Sequence, residues 1–393
     1  MTIEPSRRVQ SMGAYAFAEV DRLVEDLKAK GIEPIDFGVG DPTTPTPELV
    51  RRACCQGTEK HKSSGYPSYQ GSIHFRRAAA EWMSRRFGVN LDPGSDICST
   101  IGSKEAVFNF AEAFVNPGDY VIVPSPGYPP YSRGTLFAEG KSFFVPLLRE
   151  NDFLPDLDSI PPEVCKKAKI MWLNYPNSPT GVAAPPSFLE EAATFGREHS
   201  IIVASDEAYS EIYFSDEPPH STLEVGKEGI VAFFSLSKRS AMTGYRVGWV
   251  AGDPRIIEAF RKVKTNIDSG TPNFVQEAAV AALGDEEHVK EMRADYKTKR
   301  DILSSALVAA GLEDSTPQAT IYLWQKCPEG YSSIDFAKLL LQPENAIVTT
   351  PGAWISDVTE GGLNPGEGYV RFALVPSIEQ TEKADGRIRK LRF

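Results

Sequence analysis

The chain has 393 residues, 41% of them apolar and 24% charged, and a net charge of −11. That is the profile of a globular protein large enough for two domains sharing a sizeable core. The acidic balance contains no basic cluster and excludes nucleic acid as an expected partner, because a phosphate backbone needs concentrated Lys and Arg. No apolar run is long enough to cross a bilayer and the segment from Met1 to Arg8 has no apolar signal core, so no membrane partner and a cytoplasmic location are expected. The five cysteines, Cys54, Cys55, Cys98, Cys165 and Cys327, are odd in number with no paired CxxC spacing, and the five histidines show no metal-ligand spacing. Reduced packing cysteines and no metal are expected.

In chain order, Ala14 to Lys30 reads as a charged amphipathic helix, and Gly38-Val-Gly-Asp-Pro42 as a glycine turn. Apolar runs at Val121–Pro124, Ile170–Leu173, Ile201–Ala204, Val231–Phe234 and Val247–Ala251 read as strands, alternating with helical stretches such as Phe188–His199. Such alternation predicts an α/β fold with a mainly parallel sheet covered on both faces. Asp253 to Leu283 reads as helix, and Glu287 to Ala310 as a long polar helix. The last eighty or so residues mix strand and helix, as a smaller C-terminal α/β domain does. The expected organisation is an N-terminal arm over 1–45 that joins the small domain, a large domain over 46–280 and a small domain over 281–393.

The chemistry concentrates in Ser235-Leu-Ser-Lys238 and the Arg246 that follows. A nucleophilic lysine must be deprotonated and held still, and a neighbouring phosphate needs hydroxyl donors plus a permanently charged guanidinium. Lys238, Ser235, Ser237 and Arg246 fit those parts, although Ser-x-x-Lys also occurs in serine acyltransferases. Upstream, the run from Ile201 ends in Asp206, with Tyr209 three residues on. A carboxylate at the end of a parallel strand can keep a heterocyclic nitrogen protonated, and the phenol can bond a ring hydroxyl. A helix N-cap at Asp206 and plain packing of Tyr209 are the alternatives. Further upstream, Ile170 to Gly181 is an apolar run ending in a Pro-rich loop that carries Asn174 and Asn177 and is stiff enough to aim an amide.

These three elements, in this order, resemble the class I and II, fold-type I, pyridoxal-phosphate aminotransferases. The resemblance extends over nearly the whole chain and implies pyridoxal 5'-phosphate as cofactor, amino acids and 2-oxoacids as substrates, and a homodimer with shared active sites. It implies that Lys238 anchors the cofactor and then carries the proton at the substrate α-carbon. Asp206 pairs with the pyridine nitrogen, Asn177 and Tyr209 bond the ring 3-oxygen, and Arg246, Ser235 and Ser237 hold the phosphate. Thr100-Ile-Gly-Ser-Lys-Glu105 resembles the phosphate turn at a helix start, with Ser103 donating and Lys104 reaching phosphate or substrate. Tyr128, after Gly127, matches the aromatic that stacks on the ring. Arg371, the one cation in the strand-like Gly368–Leu374, matches the substrate-carboxylate arginine, with Gly40 meeting the same carboxylate. Gly65-Tyr-Pro-Ser-Tyr-Gln-Gly71 matches the loop that enters the neighbouring subunit, which puts Tyr66 at the partner's phosphate.

The segments Ala14–Arg22, Gly102–Lys104, Phe153–Asp158 and Asn266–Gly270 look like LL-diaminopimelate aminotransferases, in which the matching Tyr15, Lys104 and Asn266 line the substrate site, the last arriving from the partner subunit. The departures are Arg239, Ser240, Ala241 and Tyr245, where that subgroup carries threonine, an aromatic, asparagine and tryptophan, and the loop at Pro67–Gln70, which lacks a glutamate-glutamine pair. Lys238-Arg-Ser240 is instead similar to N-succinyl-diaminopimelate aminotransferases. Alanine, aspartate and aromatic donors stay open, as does a fold-type I lyase.

Overall fold

The computed structural model describes residues 3–12, 18–42 and 44–393. Its centre is a seven-stranded sheet of β1 (Ile97–Thr100), β2 (Tyr120–Ser125), β3 (Lys141–Pro146), β4 (Ala168–Asn174), β5 (Ile202–Asp206), β6 (Ile230–Ser235) and β7 (Gly248–Gly252) in the order β1-β7-β6-β5-β4-β2-β3. The neighbours from β6 to β3 pair in parallel, and β7 runs antiparallel to both β6 and β1. These strands read as unbroken apolar runs because the sheet is covered on both faces. Met171, Leu173, Ala232 and Phe234 point into one core with the helix Ile73–Phe87, and Ile170, Trp172, Val231 and Phe233 into another with α1 (Gly102–Phe110).

Lys238 lies in the single turn α2 (Leu236–Arg239) directly after β6. The stretch Asp253–Leu283, expected as one helix, is two: α3 (Pro254–Ile267) and the helix Asn273–Leu283. Between them Asp268 accepts a hydrogen bond from the Gly270 N–H at 2.6 Å, Gly270 takes φ +85°, and Pro272 has no N–H to continue a helix. The long helix α4 (Glu287–Ala309) then leads to a three-stranded antiparallel sheet of β8 (Tyr322–Lys326), β9 (Thr350–Pro351) and β10 (Tyr369–Ala373). Ile35 and Phe37 pack with Leu303, Leu323, Phe336 and Phe372 in a separate core around that sheet. The amphipathic helix expected from Ala14 is described over Ala18–Ala29, and Tyr15 lies outside the described residues. Among the described residues no helix is long and apolar enough to cross a membrane.

Candidate active site

The carboxyl ends of β4, β5 and β6 deliver Asn174, Asp206 and Ser235 to one chamber of about 650 Å³, at the place where open α/β sheets bind ligands. Ser103, Lys104, Tyr128, Tyr209, Ser237, Lys238, Arg246, Gly40 and Arg371, spread over the sequence, line the same chamber. The small sheet contributes Arg371 from β10 and Tyr322 from β8.

Lys238 Nζ donates to the Gly40 carbonyl at 2.5 Å. Burial pushes its ammonium down to about 8, with the Arg371 and Arg246 guanidinium groups acting the same way and Asp41 opposing. A lysine so displaced has a usable neutral fraction near neutral pH. Asp206 is only 4% exposed, and burial pushes its carboxyl up to about 6 against the Tyr131 hydroxyl (2.8 Å) and the Ala208 N–H (3.2 Å), both of which donate to it. Inside this low-dielectric wall a carboxylate favours a cationic partner. Tyr131 is itself fixed by stacking on Trp172 at 4.7 Å.

Arg246 has left-handed backbone (φ +54°) and donates to the Thr243 carbonyl at 2.7 Å, with Ser237 Oγ at 3.5 Å. Gly102 opens α1 at φ +69°, and a Cβ there would run into the Arg246 guanidinium. Glycine suits the helix start there, because its φ is left-handed and a side chain would displace the guanidinium. Ser235 Oγ caps α2 by accepting the Ser237 N–H at 3.2 Å. Arg371 donates to the Gly38 carbonyl at 2.9 Å and stands over the Tyr322 ring at 4.5 Å, and its buried Nε has no partner. A guanidinium lining the chamber suits a planar carboxylate.

These observations fit pyridoxal 5'-phosphate. Ser103, Ser235, Ser237 and Arg246 are the donors a phosphate requires, Asp206 is the buried anion a pyridinium requires, and Lys238 is the displaced amine that an aldehyde requires.

One sequence expectation stands differently. Asn177 is fully buried and does not line the chamber; its Oδ1 accepts from Thr180 N (3.1 Å) and Thr180 Oγ1 (2.8 Å), and its Nδ2 donates to the Asn174 carbonyl (3.1 Å). Its amide is spent on holding the loop, so a direct bond from Asn177 to a ring oxygen is corrected; Asn174, Ser178 and Pro179 face the chamber instead. Tyr66 is 93% exposed, and Asn266 is exposed at the end of α3 with its amide on the Lys262 carbonyl; neither lines its own chain's chamber. Arg239, Ser240, Ala241 and Tyr245 do not line it either. Arg239 turns away to the Ala282 carbonyl (2.8 Å) and Glu286 (2.5 Å), and Ser240 to His288 Nε2 (2.9 Å). These four departures therefore do not line the chamber of their own chain.

Sequence reading missed Tyr131, Tyr322, Asp41, Ser178 and Ile355, all of which line the chamber. Tyr131 had a signal, since it follows Tyr128 by three residues at a helix start and so shares its face. Tyr322 had none, because its contact with Tyr209 (3.2 Å between hydroxyls) spans 113 residues.

A family model described as aminotransferase class I and II matches residues 32–384. LL-diaminopimelate aminotransferase of Syntrophobacter fumaroxidans is 46% identical over all of this chain and all of its own length. That of Aquifex aeolicus is 44% identical over 99% of this chain and 100% of its own. Among solved structures, an aminotransferase from Neisseria meningitidis superposes with a TM-score of 0.91 at 32% identity, covering 98% of this chain and 99% of its own. A probable N-succinyldiaminopimelate aminotransferase from Thermus thermophilus gives 0.87 at 31%, covering 96% and 100%. With this geometry and likeness along its whole length, the chain belongs to the class I and II aminotransferases, pyridoxal 5'-phosphate-dependent enzymes that exchange amino groups between amino and oxo acids.

Proposed function

We propose that the chain transfers an amino group from LL-diaminopimelate to 2-oxoglutarate in lysine biosynthesis, in the cytoplasm, as a homodimer whose copies share their active sites. The substrate reading rests on the full-length identity with curated enzymes of that name. It agrees with a chamber that presents Lys104 and Asp41 besides Arg371, one cation and one anion for a second amino-carboxylate end. The dimer reading is supported by the exposure of Tyr66 (93%), Ile73 (43%), Ile267 (47%) and Phe274 (37%), apolar or aromatic groups near the two segments that resemble partner-reaching loops. Residues 1–45, 46–280 and 281–393 remain our proposed division.

When bound, the cofactor supplies an electron sink for negative charge at the substrate α-carbon. Arg246, Ser103, Ser235 and Ser237 would fix the phosphate. Asp206 would keep the pyridine nitrogen protonated, Tyr209 would bond the ring oxygen and Tyr128 would cover the ring. Arg371 would take the α-carboxylate, and Gly40 leaves room for Tyr322, whose ring a Cβ there would strike. Lys238 Nζ would hold the cofactor's aldehyde carbon, and as a partly neutral amine in the chamber it is the group that would take the α-proton as a base and return one as an acid. Tyr66 and Asn266 of a second copy complete the phosphate and substrate walls.

Cofactor-loaded protein is mixed in single turnovers with LL-diaminopimelate, its N-succinyl form, glutamate, alanine, aspartate and phenylalanine, following the visible band of the bound cofactor. Rapid loss of that band with LL-diaminopimelate and glutamate alone is expected. Conversion by other donors with none by LL-diaminopimelate discards the substrate and keeps the aminotransferase. Accumulation of ammonia and an oxoacid without an amino acceptor points to a lyase.

A further inference from the structure

Lys264 lies on α3 with a side chain that is 0% exposed, and its Nζ donates to Glu105 Oε2 at 3.2 Å and to Asp268 Oδ2 at 2.6 Å. Burying an ammonium costs several kcal/mol unless it is paired and hydrogen-bonded. An apolar side chain would fill this space without that cost, so what the two carboxylates do with the charge is the question.

Glu105 works on the chamber of its own chain. Its Oε2 also accepts the Ile101 N–H at 3.1 Å and its Oε1 accepts Asn109 Nδ2 at 3.2 Å. Ile101 caps α1 without a side-chain hydrogen bond of its own. Glu105 therefore holds the turn at Gly102 that brings Ser103 and Lys104 to the chamber beside Arg246. Asp268 works on the opposite side. Its Oδ1 closes the turn through the Gly270 N–H, and Gly270 lies so close to the Ser68 carbonyl and the Tyr69 backbone that a Cβ would strike them. That turn follows Asn266 directly, and the backbone it abuts is the loop that carries Tyr66.

We propose that Lys264 is a positioning residue for two active sites at once. Through Glu105 it sets the phosphate cradle of its own chamber; through Asp268 it sets the Asn266 and Tyr66 segments that enter the chamber of a second copy. This rests on the shared-site dimer proposed above. Neither Nζ bond reaches substrate or cofactor, so the effect of Lys264 is geometric, and small displacements of positioned groups are costly.

Mixed dimers carrying one live site test it, with the other site silenced by Lys238→Ala. When Lys264→Met sits in the chain that keeps Lys238, the live chamber has an altered cradle and intact donated segments. Its affinity for pyridoxal phosphate, read from the visible band that only a Lys238-bearing site develops, is expected to fall roughly 10-fold. When Lys264→Met and Lys238→Ala sit in one chain beside a wild-type partner, the live chamber has an intact cradle and altered donated segments. There the KM for the amino donor is expected to rise roughly 10-fold. An unchanged live chamber in either arrangement overturns the proposal, because Lys264 then serves one site at most. If Lys264→Met does not assemble, Glu105→Gln replaces it in the first arrangement and Asp268→Asn in the second, with the same expectations. Asn266→Ala in the silenced chain is the control: an unchanged KM there overturns the shared-site reading itself, and the inference with it, whereas a raised KM leaves the Lys264 results to decide.

Discussion

Lys238 shows how burial prepares a residue for its chemistry. In water its ammonium would lose the proton near 10.5, but in the chamber desolvation and two neighbouring guanidinium groups bring this to about 8. The neutral amine is the form that attacks an aldehyde, and it becomes the major form as pH rises through the folded value. The rate at which cofactor-free protein captures pyridoxal phosphate should therefore increase with pH and reach half its plateau near 8. A midpoint near 10.5, followed by stopped-flow absorbance, would show that the desolvation does not operate. Asn174, Asn177 and Ser178 teach a related lesson about legibility. The loop composition revealed that a polar group is aimed at the chamber, because prolines restrict the backbone. Which group is aimed depends on the loop's register: Asn177 turns inward to Thr180, and Ser178 faces the chamber. That choice is made by hydrogen bonds inside the loop, which no pattern of residue types encodes.

At the scale of elements, α2 is tied to the start of α4 by a pair whose two halves are unequal. The Arg239 side chain is 3% exposed and that of Glu286 is 43% exposed. Burial lowers the Arg239 guanidinium, and Glu286 opposes the shift. Removing Glu286 leaves the buried guanidinium without its bonded carboxylate and held only by neutral acceptors such as the Ala282 carbonyl, whereas removing Arg239 leaves a carboxylate that can turn to water. Glu286→Ala should thus cost about 3 kcal/mol, and Arg239→Met, which refills the space with apolar volume, about 1 kcal/mol. Urea melts of the two variants check the order, and equal costs would place the pair in the class of exposed ion pairs that contribute little. The elements themselves were largely legible. The runs at Ile170–Leu173 and Val231–Phe234 lie within observed strands, and Val247–Ala251 overlaps one that starts a residue later, since strands covered on both faces carry no polar alternation to obscure them. The break between α3 and Asn273–Leu283 was missed because apolar helical periodicity continues on both sides of it. Only Gly270 and Pro272 mark the turn.

For the molecule as a whole, the chamber has walls from two separately cored bodies, and one side chain joins them beside it. Ser125, at the end of β2 and fully buried, donates through Oγ to the Asp357 carbonyl at 2.7 Å and accepts the Asp357 N–H at 2.9 Å. Asp357 follows Ile355, a lining residue, by two positions. The tie therefore holds the rim of the small body against the carboxyl end of β2 in the large sheet. Two neutral hydrogen bonds contribute about 2 kcal/mol in total. If the bodies part when amino acids enter and leave, as ligand-closing domains do, losing this tie shifts the balance toward the parted form roughly 10- to 30-fold. Ser125→Ala should then raise the KM for the amino donor and speed loss of product, while the chemical step measured at saturating donor stays close to that of the parent. A bond that served only to stabilise the fold would behave oppositely, lowering the melting temperature and leaving KM unchanged. Steady-state kinetics and calorimetry on the one variant separate the two cases, because closure acts on the open-to-closed balance within the folded state and stability acts on the folded state against the unfolded chain.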